Sequence, residues 1–157
     1  MKTFERLNLP DVELKIKEEN QNTFVFDFIR KKWLVLTPEE WVRQHLVSYL
    51  IIHKHFPASL ISLEAGLKYN SLNKRTDILI YNKLGKPLLI IECKAPEVPI
   101  SQKVLAQVSI YNKTIKAHFL CVTNGIKHYC WTFNSLTNKF DFQKQIPDFA
   151  DIDEMNG

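Results

Sequence analysis

The feature that most constrains the fold is an apolar run that ends in two opposite charges. Residues 87–96 read Pro-Leu-Leu-Ile-Ile-Glu-Cys-Lys-Ala-Pro, so four consecutive aliphatic residues lead directly into Glu92 and Lys94. A run this apolar predicts a strand that is buried on both faces, where an ionised side chain is costly unless another group pairs with it. Glu92 and Lys94 therefore require partners from elsewhere in the chain.

A second apolar run, just upstream, supplies an acid. Residues 75–81 read Arg-Thr-Asp-Ile-Leu-Ile-Tyr, and Asn82 and Gly85 mark a hairpin turn between the two runs. If Tyr81 pairs with Leu88 in this antiparallel hairpin, Asp77 lies opposite Glu92. Two facing carboxylates repel each other unless a cation lies between them, so the hairpin predicts a site for a hard divalent metal.

The spacing of these residues indicates a particular chemistry. Residues two apart on a strand share a face, so Glu92 and Lys94 point the same way and Cys93 points the opposite way. Asp77 and Glu92 would hold the cation, with the backbone carbonyl of Cys93 as a third oxygen ligand. Such a cation lowers the pKa of its bound water, and a nearby lysine orients or deprotonates the nucleophile. The site predicts metal-assisted phosphodiester hydrolysis, and the alternative is an ordinary ion-pair cluster at a sheet edge.

Length and composition favour one globular domain without a membrane span. The chain has 157 residues, of which 45% are hydrophobic, and its net charge of +4 is compatible with a polyanionic partner. Its three cysteines lack CxxC spacing, so we expect neither a disulfide framework nor a zinc cluster, and a reducing cytoplasm fits best. No apolar run approaches the length of a membrane span, and we expect no membrane partner.

Periodicity divides the chain, taken as a single α/β (α+β) domain over residues 1–157, into three parts. These are an N-terminal β-hairpin extension (1–36), a core (37–133), and a C-terminal strand with a loosely held acidic tail (134–157). In the core, Thr37 predicts the N-cap of a helix that runs to about His55, and a second helix is expected from Ser101 to Lys116. Strands are expected at about 60–69, 75–81, 87–93, 117–123, 127–133 and 139–143.

Five blocks in this order resemble a known family. They are Leu36–Gln44, Lys74–Asp77, Ile91–Pro96, Gln107 with Tyr111 and Asn112, and Thr123–Gly125. Together they are similar to the amino-terminal nuclease domain of type I restriction enzyme R subunits, within the PD-(D/E)xK nuclease superfamily. The resemblance covers roughly Phe26 to Trp131. Thr76 stands where the superfamily name has proline, which is a minor departure.

The resemblance implies a fold, an activity and a set of site residues. It implies a restriction-endonuclease-like core, in which helices flank a central mixed sheet of four to five strands. It implies a DNA endonuclease that uses Mg²⁺ or Mn²⁺, with Asp77 and Glu92 as metal ligands and Lys94 as the catalytic lysine. Gln107 and Tyr111 would form the Gln-x-x-x-Tyr pair of such nucleases, although core packing is an alternative for Tyr111.

The first acid of the superfamily has three candidates in this chain. Glu39 and Glu40 lie on the expected first helix, and Glu64 lies on the following strand. Glu40 is preferred, but it also completes a capping box with Thr37, which gives it a purely structural alternative. Glu64 remains an alternative ligand or a residue that supports the ligands.

Basic and polar side chains near the site are candidates for phosphate contacts. Arg43 and Gln44 follow Glu40 by about one helical turn, and Lys74 and Arg75 precede Asp77. Each has the alternative of a solvated surface group. The basic run from Arg30 to Lys32 is expected to be merely exposed in a loop.

Three functional classes stay open on the sequence. The first is an active endonuclease, the second a non-cleaving DNA-binding module of the same fold, and the third an RNA or nucleotide phosphodiesterase. The 157 residues contain no GxxxxGK[ST] sequence, so they include no motor of their own. Either they are excised from a longer protein or they act alone, and restriction-system subunits or a motor protein are the expected partners. The capped start and complete strand set favour a whole small protein, and a homodimer would allow both DNA strands to be cut.

Overall fold

The computed structural model describes residues 2–69 and 72–153, with side chains described outside 65–75 and Tyr111. Nine strands and three α-helices make up this part of the chain. In chain order they are β1 (Ile16–Glu19), β2 (Asn22–Asp27), β3 (Lys32–Val35), α1 (Pro38–Ile52), β4 (Ile61–Tyr69), β5 (Leu72–Tyr81), β6 (Pro87–Cys93), α2 (Gln102–Ile115), β7 (Phe119–Thr123), β8 (His128–Asn134), β9 (Lys139–Gln143) and α3 (Phe149–Ile152).

The strands form two sheets. Strands β4 to β9 form a six-stranded sheet in chain order, and β1 to β3 form a separate antiparallel sheet. Among the described residues of the larger sheet, only those of β6 and β7 pair in parallel, and α2 is the crossover that this pairing requires. The mixed α/β class is confirmed, but the expected four to five strands and the N-terminal hairpin are corrected to six strands and a three-stranded meander.

Strand β6 lies in the interior of the larger sheet and fills both of its faces. Its residues from Leu88 to Cys93 are all buried. Leu89, Ile91 and Cys93 belong to the core cluster that also contains the apolar face of α1, whereas Ile90 belongs to the cluster under α2. The apolar run therefore forms the doubly buried strand that its composition predicted.

The hairpin register agrees with the prediction near the charged end and differs near the turn. Ile78 pairs with Ile91, Leu79 with Ile90, and Ile80 with Leu89, and this register continued by one residue places Asp77 beside Glu92. A bulge after Ile80 makes Tyr81 pair with Pro87, which corrects the expected pairing with Leu88. The bulge lies at the turn end, so it leaves the charged end in the predicted register.

Helix α1 begins as predicted but ends three residues early, at Ile52. Its N-cap is Thr37, whose hydroxyl accepts a hydrogen bond from the Glu40 backbone N–H at 3.1 Å. The carboxylate of Glu40 does not close the box, because its oxygens bind Arg30, Arg43 and Gln44 instead. The structural alternative for this side chain, a capping box, is therefore wrong.

Two further expectations are corrected outside the site. Cys121 and Cys130, which pair across β7 and β8, are joined as a disulfide, although their spacing in the sequence gave no such indication. In the expected loose tail, Phe149 and Ile152 of α3 are buried in the main core. Within the described residues, no helix is both long and apolar enough to cross a membrane.

Candidate functional site

The charged ends of β5 and β6 meet at one end of the larger sheet. One carboxylate oxygen of Asp77 (Oδ2) accepts the Cys93 backbone N–H at 2.8 Å. The Lys94 ammonium lies 3.1 Å from Oε1 of Glu92, while the Cys93 side chain is buried in the core on the opposite face. The structure thus brings Asp77, Glu92 and Lys94 together, because strand register and alternation dictate that they meet.

Glu92 has the least compensated carboxyl group of this cluster. It is only 5% exposed, and its Oε2 atom has no hydrogen-bond partner among the described residues. Burial raises the pKa of this carboxyl group to about 8, and the nearby Asp77 carboxylate adds to the rise, which Lys94 only partly opposes. A buried carboxylate with an unpaired oxygen beside a second carboxylate is a place where a cation is strongly favoured.

Lys94 lies at the solvent side of this pair, with 23% of its side chain exposed. Partial burial lowers its pKa, but the carboxylates of Glu92, Asp77 and Glu39 raise it by more, so the net shift is upward. The side chain is therefore an ammonium at neutral pH and acts as a hydrogen-bond donor and a positive charge.

Arg43 of α1 is bound to the same acids. Its guanidinium donates to Asp77 Oδ1 at 2.7 Å and to Glu39 at 3.0 Å, and it also forms an ion pair with Glu40. Arg43 is 2% exposed, so the alternative of a solvated surface charge is wrong. Its two terminal nitrogens face carboxylates in this conformation, and contact with DNA phosphate stays a prediction.

A second arginine, Arg30, extends the cluster into the smaller sheet. It binds Asp27 at 2.8 Å, Glu40 at 2.7 Å and Glu64 at 2.8 Å. The expectation that Arg30 is merely exposed is wrong, because only 11% of its side chain is accessible. The available signal was Asp27, an acid that shares the inward-facing parity of Thr23 and Val25 on β2.

Gln44 joins the two parts of this cluster. Its amide donates to Asp27 at 2.8 Å and to Glu40 at 2.9 Å, and the residue is 6% exposed. Gln44 is therefore a buried bridge, so its alternative as a solvated surface group is also wrong. A phosphate contact by this residue stays a prediction.

The three candidates for the first acid have different surroundings. Glu40 is buried between the two arginines, whereas 45% of the Glu39 side chain is exposed. Partial burial and the Asp77 carboxylate raise the pKa of Glu39. Glu64 lies next to Asp77 in the sheet, between residues 63 and 65, which pair with residues 78 and 76. All three surround Arg43, and the choice of Glu40 stays a prediction.

Glu64 also has an unusual backbone. Its φ of +51° lies in the left-handed region, which costs a residue with a side chain about 1–2 kcal/mol. This conformation occurs within β4, next to Asp77, where the Glu64 carboxylate meets Arg30 at 2.8 Å and Arg43 at 3.7 Å. Strain of this kind tends to occur at functional sites.

The oxygen atoms at the ends of β5 and β6 meet some of the requirements of a hard divalent cation. Among residues 2–69 and 72–153, no group of three or more His, Cys, Asp or Glu side chains is arranged to hold a metal ion. Asp77 and Glu92 nevertheless offer two carboxylates, one of which has an unpaired buried oxygen. Carboxylate and carbonyl oxygens are the donors that Mg²⁺ and Mn²⁺ prefer, so these two residues and the Cys93 carbonyl fit such an ion.

The remaining candidates lie on α2 and β5. Gln107 is half-buried in α2, which packs over β6 and β7. The side chains of Tyr111, Lys74 and Arg75 lie outside the described residues. The roles of these four residues stay predictions.

The Thr123–Gly125 block holds the loop that follows Lys94. The Lys94 backbone N–H donates to the Thr123 carbonyl at 2.8 Å, and the Asn124 amide donates to the Val98 carbonyl at 2.9 Å. Gly125 has a φ of +84°, and a Cβ there would lie 2.7 Å from Leu7. This turn supports the position of Lys94 from the neighbouring strand.

Comparison with known proteins agrees with this architecture. The model of the family described as "Type I restriction enzyme R protein N terminus (HSDR_N)" matches residues 38–147. No curated protein sequence matches the chain significantly.

Two solved structures are similar to the chain. A fragment of a putative HsdR subunit of a type I restriction enzyme from Vibrio vulnificus YJ016 shares 19% identity at a TM-score of 0.53, over 74% of this chain and 24% of that one. The type IIG restriction endonuclease BpuSI shares 21% identity at a TM-score of 0.41, over 70% of this chain and 13% of that one. The first likeness concerns the fold alone, and this chain spans about a quarter of the Vibrio fragment.

Proposed function

We propose a nuclease function for this chain, because it belongs to the family of type I restriction enzyme R protein N termini. The proposed activity is metal-dependent endonucleolytic hydrolysis of DNA phosphodiester bonds, with a PD-(D/E)xK site. The observation that carries it is the convergence of Asp77, Glu92 and Lys94 around an unpaired, buried carboxylate oxygen.

Each residue of this group has a proposed role. Asp77, Glu92 and the Cys93 carbonyl would hold Mg²⁺ or Mn²⁺, with Glu40 or Glu64 as a further ligand. When bound, the ion lowers the pKa of water and neutralises phosphoryl charge. Lys94, held as an ammonium by its acidic neighbours, would orient the attacking water and donate to a phosphate oxygen.

The arginines would position these acids. Arg43 fixes one oxygen of Asp77, while the Cys93 N–H fixes the other, so the carboxylate has one orientation. Arg30 and Gln44 both donate to Oε1 of Glu40, while Arg43 binds its Oε2, so this carboxylate is fixed as well. This preorganisation would keep the Asp77 and Glu40 carboxylates in place before substrate arrives. DNA would be the substrate, and restriction-system subunits, including a motor protein, and a second copy of the chain are the proposed partners.

A cleavage assay with supercoiled plasmid and Mg²⁺ or Mn²⁺ tests this proposal. D77N, E92Q and K94M should each lower the rate by at least about 100-fold, since each removes a charge from the reacting centre. The matched controls are E97Q and K86M, which change an exposed acid and an exposed lysine and should cleave normally. Cleavage that survives all three site substitutions would refute the proposal.

A non-cleaving DNA-binding module is the second candidate, and the arginines favour it specifically. Arg30 and Arg43 already neutralise Glu40 and Glu64, so the cluster has internal counter-ions. Calorimetric titration with Mn²⁺ and DNA affinity measured against salt separate the two functions. Steeply salt-dependent DNA binding without metal uptake or turnover would favour the binding module.

A further inference from the structure

The smaller sheet has an unusual outer face. On β2, Thr23, Val25 and Asp27 are buried, so the alternate residues Phe24 and Phe26 lie on the other side. The ring of Phe28, in the turn just after β2, lies 5.0 Å from that of Phe26. Trp33 pairs with Phe26 on the neighbouring strand and shares this side. A solvent-facing side of an antiparallel sheet is ordinarily polar, yet this one carries four aromatic rings, and Phe28 is 67% exposed.

Lysine ammonium groups lie over three of these four rings. The Lys15 ammonium lies 5.1 Å from the centre of the Phe26 ring and 5.6 Å from that of Trp33. The Lys17 ammonium lies 4.8 Å from Trp33 and 5.6 Å from Phe24. We call the surface formed by these six residues the aromatic-lysine face; its members are Lys15, Lys17, Phe24, Phe26, Phe28 and Trp33.

The charge on this face is available to a ligand. Lys17 pairs with Glu19 at 2.8 Å, but both side chains are about half exposed, so water and salt weaken the pair. Lys31 and Lys32 at the β2–β3 turn are exposed as well. Rings that can stack on bases, interleaved with ammonium groups that can bind phosphates, match the chemistry of an unpaired nucleic-acid strand.

The strand that carries this face also contributes to the acid cluster. On the opposite, buried face of β2 lies Asp27, whose carboxylate binds Arg30 at 2.8 Å. The same arginine binds Glu64, the strand neighbour of Asp77. Through Asp27 and Arg30, β2 is therefore linked to the acid cluster, although the aromatic rings lie on its other face.

We propose that the aromatic-lysine face binds single-stranded DNA, with bases stacked on Phe28, Phe26 and Trp33 and phosphates bound by Lys15 and Lys17. The bases replace the ammonium groups on the ring faces, and these groups move to the phosphates. The proposal deepens the proposed function by naming its substrate as DNA with an unpaired stretch, and in this respect it rests on that function. Binding itself requires no metal and no cleavage.

Fluorescence anisotropy with a labelled oligothymidylate of about 15 nucleotides, in EDTA, tests the binding. F28A, and K15Q combined with K17Q, should each weaken binding by roughly tenfold, and F28W should retain it. The matched controls are F142A, which removes an aromatic side chain that is 58% exposed on β9, and K83Q combined with K86Q. These controls should bind as the wild type does.

The outcomes separate this inference from the nuclease proposal. Loss of DNA affinity in the variants of the aromatic-lysine face, but not in the controls, supports the inference. The same loss is expected when these variants are combined with E92Q, in which cleavage is absent by design. Equal affinity of F28A and the wild type would overturn it. Duplex DNA of the same length bound as tightly, or no DNA binding at all, would also overturn it and would leave the face to a protein partner. Failure of plasmid cleavage with intact oligonucleotide binding would sink only the nuclease function.

Discussion

Removal of the Arg43 guanidinium should reveal how strongly the acid cluster depends on it. R43M keeps much of the side-chain volume but deletes the donors that bind Asp77 at 2.7 Å and Glu39 at 3.0 Å, together with the ion pair to Glu40. Breaking a buried ion pair from one side ordinarily costs about 3–5 kcal/mol, because the remaining charge stays buried without a partner.

The structure indicates the lower end of that range. Glu40 keeps Arg30 and Gln44, Asp77 keeps the Cys93 N–H, and Glu39 is half exposed to water. We therefore expect a loss of about 3 kcal/mol of unfolding free energy, which corresponds to a fall in Tm of roughly 6–12 °C for a chain of this size.

Urea denaturation in EDTA at pH 8 measures this change. K17M is the control, because Lys17 and Glu19 form an equally short pair at 2.8 Å on the surface, and its loss should cost at most about 1 kcal/mol. D77N in the R43M background should recover part of the loss, because it removes one of the charges left unpaired. A cost for R43M no larger than that for K17M would refute the view of Arg43 as the counter-ion of the cluster.

Three other changes have definite expected outcomes. The pKa of Glu92 is raised to about 8 in the fold from an ordinary 4.5, so folding favours its protonated form and its cost to stability grows as pH rises between these values. The stability advantage of E92Q over the wild type in EDTA should therefore grow by about 2–5 kcal/mol as the pH rises from 5 to 8, and an advantage that does not change with pH would contradict this. Millimolar Mn²⁺ should raise the Tm of the wild type but not of D77N, as followed by differential scanning fluorimetry; equal shifts would exclude Asp77 as a ligand. G125A should cost about 2–4 kcal/mol, because its Cβ would meet Leu7 at 2.7 Å, whereas G85A has a similar φ of +77° with open space and should cost only about 1 kcal/mol; equal losses in urea denaturation would show that the contact is unimportant.

The sequence specified the hairpin and the acids at its end. The apolar run before Glu92 required a doubly buried strand, and alternation then placed Lys94 beside it. Pairing the two apolar strands as a hairpin placed Asp77 opposite Glu92. The bulge at Tyr81 lies at the turn end of the hairpin, so it does not change this pairing. Local patterns of this kind depend on residues close in the chain, so they can be read without the fold.

Other features had local signals that pointed the wrong way. Glu40 lies three residues after Thr37, which is the spacing of a capping box, but two distant guanidiniums bind its carboxylate instead. The Cys121–Cys130 disulfide depends on the register of β7 with β8, which no cysteine motif reports. In the tail, the acids were visible in the sequence, but the burial of Phe149 against Phe56 was not.

Tertiary structure alone decided how the acids are neutralised. Read along the chain, Arg30 and Arg43 are basic residues near a helix start, with nothing to distinguish them from solvated charges. Folding brings them to Glu64 and Asp77, each 34 residues further along, at 2.7–2.8 Å. The strand pattern determines where carboxylates accumulate, because alternation and apolar burial are local. Which cations meet them depends on how α1 and the smaller sheet dock against the larger one, since buried charge must be compensated by whatever group the packing places within reach.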